Sequence, residues 1–197
     1  MTRYLIAFVA AASLGAVVPQ YVGLGFAHIL PNGLDHILFI LGLFFVARDL
    51  YTLLVQITLF TIAHSLTLGL AMKGFLTVDN HWVEIAIGLS IAFIAVENLF
   101  HQKLGRWRPA MVFVFGLIHG LGFAHSFEET AVSSAVMLPA LFSFNLGVEL
   151  GQLAVVGIAY GIVAAWWKRD WYLQRIAHPA SAMIAVTGLY LALERSL

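Results

Sequence analysis

The chain consists of long apolar segments separated by short polar connections. Apolar runs of about 15–30 residues lie near positions 4–18, 32–47, 51–72, 82–100, 109–126, 137–166 and 178–195. Most of them are long enough to cross the roughly 30 Å hydrocarbon core of a bilayer as a helix. Lipid-exposed segments must be helical, because only then are their backbone hydrogen bonds satisfied internally. The pattern predicts an all-α, polytopic transmembrane helical bundle of about seven spans.

Composition supports this prediction and excludes other classes of protein. Hydrophobic residues make up 61% of the chain, charged residues make up 10%, and the mean hydropathy is +0.93. Soluble proteins are about 25% charged, so we expect residues 1–197 to form a single integral membrane domain in contact with the lipid bilayer. The formal net charge of zero argues against a nucleic-acid partner. The absence of cysteine excludes thiolate metal sites and thiol catalysis.

Basic residues predict the orientation of the bundle. If the N-terminus lies inside, eight of the ten Lys and Arg fall on the inner side, and only Lys73 and Arg195 fall outside. The positive-inside rule therefore predicts N-terminus in and C-terminus out. Residues 1–18 are either the first transmembrane helix or a signal-like segment whose cleavage would leave six spans. The uncharged, Gly-rich stretch 19–27 that follows is predicted to be a re-entrant or broken helix.

Ionisable side chains recur inside the apolar spans at a similar predicted depth. Such groups are costly in a bilayer and usually face a partner or a water-filled cavity. The members of the outer-half set are all imidazoles or carboxylates: His28, Asp35, His36, His64, His119 and Glu149. These donors suit a divalent transition-metal ion of borderline softness. The set therefore predicts a metal site.

A second polar group lies along the sixth and fourth spans. Asn145, Glu149 and Gln152 recur at i, i+4 and i+7 and so share one helical face. Glu97 lies towards the inner end of the fourth span. We interpret Asn145, Gln152 and Glu97 as a secondary polar path, although each could instead form a structural hydrogen bond. The remaining histidines lie near span ends, where solvation is the simpler explanation: His81, His101, His125 and His178.

Five blocks occur in order along the chain: GFAHILPNGLDHILFILGL, FTIAHSLTLGLA, VEN, FGLIHGLGFA and FNLGVELGQ. Together they resemble the HupE/UreJ family of bacterial membrane proteins from about Gly25 to Gln152. The resemblance implies nickel, and sometimes cobalt, uptake for hydrogenase and urease assembly. It implies a bacterial cytoplasmic (inner) membrane location and a metallochaperone or metalloenzyme maturation system as partner. It also implies functional roles for the matching polar residues: His28, Asp35, His36, His64, Glu97, His119, Asn145 and Glu149.

The leading hypothesis is a permease for a divalent cation, with nickel, cobalt or zinc as the bound ion. His28, Asp35 and His36 would capture the cation at the outer face, and the deeper site would comprise His64, His119 and Glu149. The alternative is a seven-helix, zinc-dependent membrane hydrolase of ceramidase-like type, in which Asp35 and Ser65 lie near the metal. A haem held by His64 and His119 is a third possibility, but it leaves the carboxylates unexplained. We expect transport and assign no catalytic residue.

Overall fold

The computed structural model describes residues 2–47, 49–76, 78–100, 105–128 and 137–197, and their side chains apart from those of residues 2–14, 16 and 124–128. Of the residues named above, His101 therefore lies outside it entirely and His125 lies outside it in its side chain. Among the eight basic residues on the predicted inner side, Arg48 and Lys103 lie outside it entirely and Arg3 in its side chain.

The described residues form seven α-helices and one short π-helix, with no β-strand among them. The α-helices are α1 (Thr2–Ile29), α2 (Leu34–Val46), α3 (Leu50–Met72), α4 (Asn80–Phe100), α5 (Arg108–Glu128), α6 (Met137–Val163) and α7 (His178–Glu194). The π-helix, Leu173–Ala177, leads directly into α7. This confirms the predicted all-α fold.

Several helices begin where the sequence provides a suitable first turn. Pro109 and Pro139 lie within the first three residues of α5 and α6, where a missing N–H removes no helical hydrogen bond. Pro179 is the second residue of α7, at the change from the π-helix to the α-helix. Asp49 caps α3, because its carboxylate accepts a 2.7 Å hydrogen bond from the Thr52 backbone N–H. That hydrogen bond lowers the pKa of the Asp49 carboxyl group.

The first two helices differ most from the prediction. The α1 helix continues through Pro19 to Ile29, so the break falls at residues 30–33 and not within the stretch 19–27. There Val17–Ile29 and Leu34–Val46 meet at 70° and together form one broken span or a re-entrant loop. Four other helical segments are long and apolar enough to cross a membrane, giving up to five candidate spans in the described part. The count of seven and the orientation of the termini stay predictions.

The bundle is built from three helix pairs around the short helix α2. The most extensive contacts join α1 to α6, α3 to α5, and α4 to α7, whereas α2 touches α1, α3, α4, α6 and α7. A helix of 13 residues spans only about 20 Å, which is too short to cross a bilayer alone. Its apolar side chains instead fill the centre of the bundle, where Phe39, Ile40, Leu43 and Phe44 are buried.

A buried polar network lies near the C-terminal half of α2. Arg108 is 1% exposed as a whole residue, and its guanidinium donates to Glu97 over 2.5 Å, to Gln56 over 3.1 Å and to Asn98 over 3.1 Å. Asn98 in turn donates to the Gly42 carbonyl oxygen over 2.7 Å. A buried charge is tolerated only with such partners, so this network fixes α5 against α2, α3 and α4.

Helices α1 and α6 pack so closely that side chains are excluded at their contact. A Cβ atom on Gly147 would collide with the Val22 carbonyl oxygen, and one on Gly25 would collide with the Phe144 carbonyl oxygen. Small residues at helix contacts permit this approach in membranes. The α1–α6 contact therefore depends on glycine at these positions.

We expect Gly147→Ala to lower the free energy of unfolding by about 1–3 kcal/mol, because the added methyl group forces the two backbones apart. Gly157→Ala is the matched control on the same helix, since a Cβ there meets nothing within 4 Å. Denaturant unfolding in detergent micelles measures both variants. Equal stability of the two would contradict the close-packing account.

Candidate metal-binding site

Three histidines from three helices form a cluster at the centre of the bundle. His28 lies in the last turn of α1, His36 in the first turn of α2 and His64 on α3. Each offers a ring nitrogen, and these nitrogens all lie within 4.8 Å of one another. A tetrahedral ion with bonds of about 2.1 Å separates its ligand atoms by roughly 3.4 Å. Small side-chain rotations would therefore bring all three nitrogens onto one ion.

A fourth histidine borders the cluster. The ring centroids of His119, on α5, and His36 are 5.0 Å apart, and His36 also contacts His64 at 5.5 Å. Helix α5 can come this close to α3 because residue 120 is a glycine. A Cβ atom at that position would collide with the His64 carbonyl oxygen. The short residue after His119 thus allows its imidazole to lie beside the other three.

The imidazoles leave buried nitrogen atoms without hydrogen-bond partners in the described part of the chain. These atoms are His28 Nε2, His36 Nε2, both ring nitrogens of His64, and His119 Nδ1. An unsatisfied buried polar group costs roughly 1–3 kcal/mol. Several of them at one place therefore indicate a site whose donors are completed by a ligand.

A cavity of about 250 Å³ leads to this cluster from one side. Its lining includes three of the histidines together with charged side chains: His28, His36, His119, Asp35, Glu84 and Arg195. On the other side, the rings of Phe39 and Phe60 lie 5.2 and 5.1 Å from that of His119. The described residues thus form a site reached from the Asp35 side and closed by aromatic rings beyond.

The arrangement of neutral nitrogen donors in an apolar bundle agrees with the comparison of the sequence with protein families. The family model for the HupE / UreJ protein matches residues 6–195. The chain belongs to the HupE/UreJ family. Together with the apolar helices, this membership makes it a multi-pass membrane protein with a role in metal transport or in an accessory step. No curated protein and no solved structure matches the chain.

The other predicted residues of this HupE/UreJ protein lie elsewhere. Glu149 accepts a 2.8 Å hydrogen bond from Thr58 and lines a separate groove between α3 and α6, so the structure does not bring it to the histidines. Asn145 lines the same groove, and buried Gln152 accepts from Thr61 over 2.9 Å. Glu97 is the partner of Arg108, as described above.

Three site residues are missing from the sequence-based prediction. Glu84 and Arg195 line the cavity, and Ser90 bonds to His119. In the sequence, Arg195 looks like an ordinary charged residue at the membrane interface after the last span. Ser90 looks like an ordinary small residue within an apolar helix. No local signal distinguishes them, because their roles arise only when α4 packs against α5 and α7.

Ser90 determines which nitrogen of His119 is free. Its hydroxyl group has one proton, and its oxygen lies 2.7 Å from the Ile87 carbonyl oxygen, which can only accept. The hydroxyl proton is therefore used in that bond, and the Ser90 oxygen must accept a hydrogen bond from His119 Nε2, which lies 3.0 Å away. His119 therefore carries its proton on Nε2 in this HupE/UreJ protein and presents the lone pair of Nδ1.

We predict that ¹⁵N NMR of the histidine-labelled protein in micelles shows His119 as the Nε2–H tautomer, and that Ser90→Ala weakens this preference because the acceptor is lost. Ser90→Thr keeps a hydroxyl group and should keep the tautomer. The exposed His81 provides an internal control whose signals should not change. An Nδ1–H tautomer in the unmodified protein would refute this assignment.

Proposed function

We propose that this HupE/UreJ protein is a permease that imports a divalent transition-metal cation of the nickel or cobalt class. One observation carries the proposal: His28, His36 and His64 place three donor nitrogens within 4.8 Å of one another at the end of a cavity. The ion is the cargo, and the cluster is the site at which it exchanges water for imidazole.

The donor set supports a borderline divalent ion. Neutral imidazole nitrogens suit nickel, cobalt and zinc, whereas soft Cu(I) prefers thiolate and thioether ligands. The chain has no cysteine to provide a thiolate. His119 would provide a further donor beside these three, because its ring lies 5.0 Å from that of His36 and its Nδ1 atom is buried and without a partner in the described residues.

The geometry supports transport in stages. Asp35 lies beside the cavity and would attract the hydrated cation, and the histidines would bind it at moderate strength so that it can leave again. Phe39 and Phe60 must then move for the ion to pass, since they pack against His119. We place this permease in the bacterial cytoplasmic membrane, where it would deliver metal to a metalloenzyme maturation system.

Nothing in the described residues favours the hydrolase alternative. Ser65 donates a 2.6 Å hydrogen bond to the Thr61 carbonyl oxygen and lines the α3–α6 groove, away from the cavity. Asp35 is paired with Arg195 at 2.8 Å. The serine assigned to this alternative, Ser65, therefore lies away from the proposed metal site. The serine that does border the site, Ser90, uses its hydroxyl proton in a hydrogen bond to the Ile87 carbonyl oxygen.

We predict that purified protein in liposomes admits Ni²⁺ or Co²⁺ to a trapped metal-sensitive dye, and that His36→Ala or His64→Ala reduces the rate at least tenfold, because each removes one of three ligands. His81→Ala is the matched control, since His81 is exposed and outside the cluster. The dye response against time gives the rate for each variant.

Two outcomes would contradict the permease. One is the absence of any dye response from correctly folded protein. The other is retention of zinc through dialysis combined with release of fatty acid from an amide lipid, which would identify a hydrolase.

We expect Asp35→Asn to raise the half-saturating metal concentration by about fivefold while leaving the maximal rate unchanged. The reason is that a partly exposed carboxylate contributes up to about 1 kcal/mol of attraction, and its side chain is 24% exposed. Asp170→Asn removes the same charge at an exposed position outside the cavity and is the control. A fall in maximal rate alone would contradict a recruiting role for Asp35.

A further inference from the structure

A fixed positive charge lies in the path proposed for a cation. The Arg195 guanidinium, just after the last turn of α7, lines the cavity that leads to the histidines. Its Nη2 atom donates to Asp35 Oδ2 over 2.8 Å, its Nε atom lies 3.6 Å from Glu84 Oε2, and Nη1 donates to the Glu84 carbonyl oxygen over 3.2 Å. Guanidinium stays protonated at all physiological pH values, so the charge is permanent.

The Asp35 carboxylate is only partly satisfied by this guanidinium, whereas the second oxygen of Glu84 accepts a 2.9 Å hydrogen bond from Asn80. Asp35 Oδ1 is buried and has no hydrogen-bond partner in the described residues, although Oδ2 of the same group is bonded to Arg195. A cation arriving through the cavity therefore meets a carboxylate with one oxygen unpaired. It also meets the Arg195 charge that holds the other oxygen.

The strength of this pairing differs from that of the other arginine pair. The side chains of Arg195, Asp35 and Glu84 are 21%, 24% and 43% exposed, whereas those of Arg108 and Glu97 are 2% and 5% exposed. Partly exposed ion pairs contribute little net free energy because solvent screens them, and a fully buried pair is costly to separate. Arg195 can thus leave its carboxylates at low cost, and Arg108 cannot.

We propose that Arg195 is a tethered cation that occupies the Asp35 and Glu84 carboxylates and is displaced when a divalent ion binds, which makes it a determinant of charge selectivity. This inference rests on the proposed function. A monovalent ion would replace the single positive charge of Arg195 with another single positive charge, so its attraction to the carboxylates would be no greater. A divalent ion would bring one positive charge more than Arg195. Displacement therefore favours divalent ions over Na⁺ and K⁺.

The test is equilibrium binding of Co²⁺ to the full-length protein in micelles, followed by the visible absorption of the bound ion. We expect Arg195→Gln to tighten binding by roughly tenfold at low salt, since it removes a neighbouring positive charge and releases Asp35. The gain should shrink at high ionic strength. Arg195→Lys keeps the charge and should gain much less. Arg169→Gln, which removes an equal charge from an exposed position outside the cavity, should not change affinity.

Two further comparisons keep the inference falsifiable if Arg195→Gln also weakens the fold. Arg195→Met retains the unbranched apolar stem and should show the same tighter binding. In an Asp35→Asn, Glu84→Gln background the gain from Arg195→Gln should largely disappear, because neither carboxylate is left to release. A gain of the same size in that background would overturn displacement, since it would show only a long-range field.

The outcomes separate this inference from the proposed function. If the unmodified protein binds Co²⁺ and His36→Ala abolishes binding, the metal site stands. Unchanged or weaker binding by both neutral Arg195 variants would then overturn the tethered-cation role alone and leave Arg195 as a tie between α7, α4 and α2. If the unmodified protein binds no Co²⁺, the metal site fails and the inference fails with it.

Discussion

A helix that ends inside a bilayer leaves backbone N–H and C=O groups that no lipid can satisfy, and the break between α1 and α2 meets this constraint locally. The Asn32 N–H donates to the Ala27 carbonyl oxygen over 3.2 Å, and the Gly33 N–H donates to that of Ile29 over 3.1 Å. Interrupted helices are tolerated at membrane depth where they line a cavity or are enclosed by protein. His28 and the first turn of α2 flank the break, so the cavity and its donors arise from the same interruption.

The histidine cluster lies between two ion pairs, one near each end of α2. Asp35, in the first turn, is paired with Arg195 beside the cavity. Near the other end, the Gly42 carbonyl oxygen joins the buried network of Arg108 and Glu97. The histidines and the rings of Phe39 and Phe60 separate the two groups. Under the proposal above, a cation at the centre would lie between a partly exposed arginine, Arg195, and a buried one, Arg108.

The apolar pattern is sufficient to predict the helices, because a bilayer leaves few other solutions for such segments. Residue type and depth place His28, His36 and His64 in one outer-half set. The division of that set into an outer group and a deeper site assigned His64 to the deeper site, whereas the structure brings it together with His28 and His36. Depth alone does not specify which side of a helix a residue occupies, and Glu149 consequently faces Thr58 and not the histidines. The break between α1 and α2 lies at residues 30–33, after the Gly-rich stretch 19–27 in which it was predicted. Arg195 is unpredictable for another reason: its role requires contacts across more than a hundred residues.

The Arg108 network has a consequence for how the protein is made. Among the described residues, the groups that accept a hydrogen bond from this guanidinium all lie earlier in the chain: the Gly42 carbonyl oxygen, Gln56, Glu97 and Asn98. All of them have therefore left the ribosome before Arg108 does, and the arginine can be paired as α5 enters the membrane. Ser181, which accepts a 3.1 Å hydrogen bond from Asn98, is synthesised much later. The order of residues in this network matches an order of assembly in which α2 to α5 associate first and α7 joins the completed group.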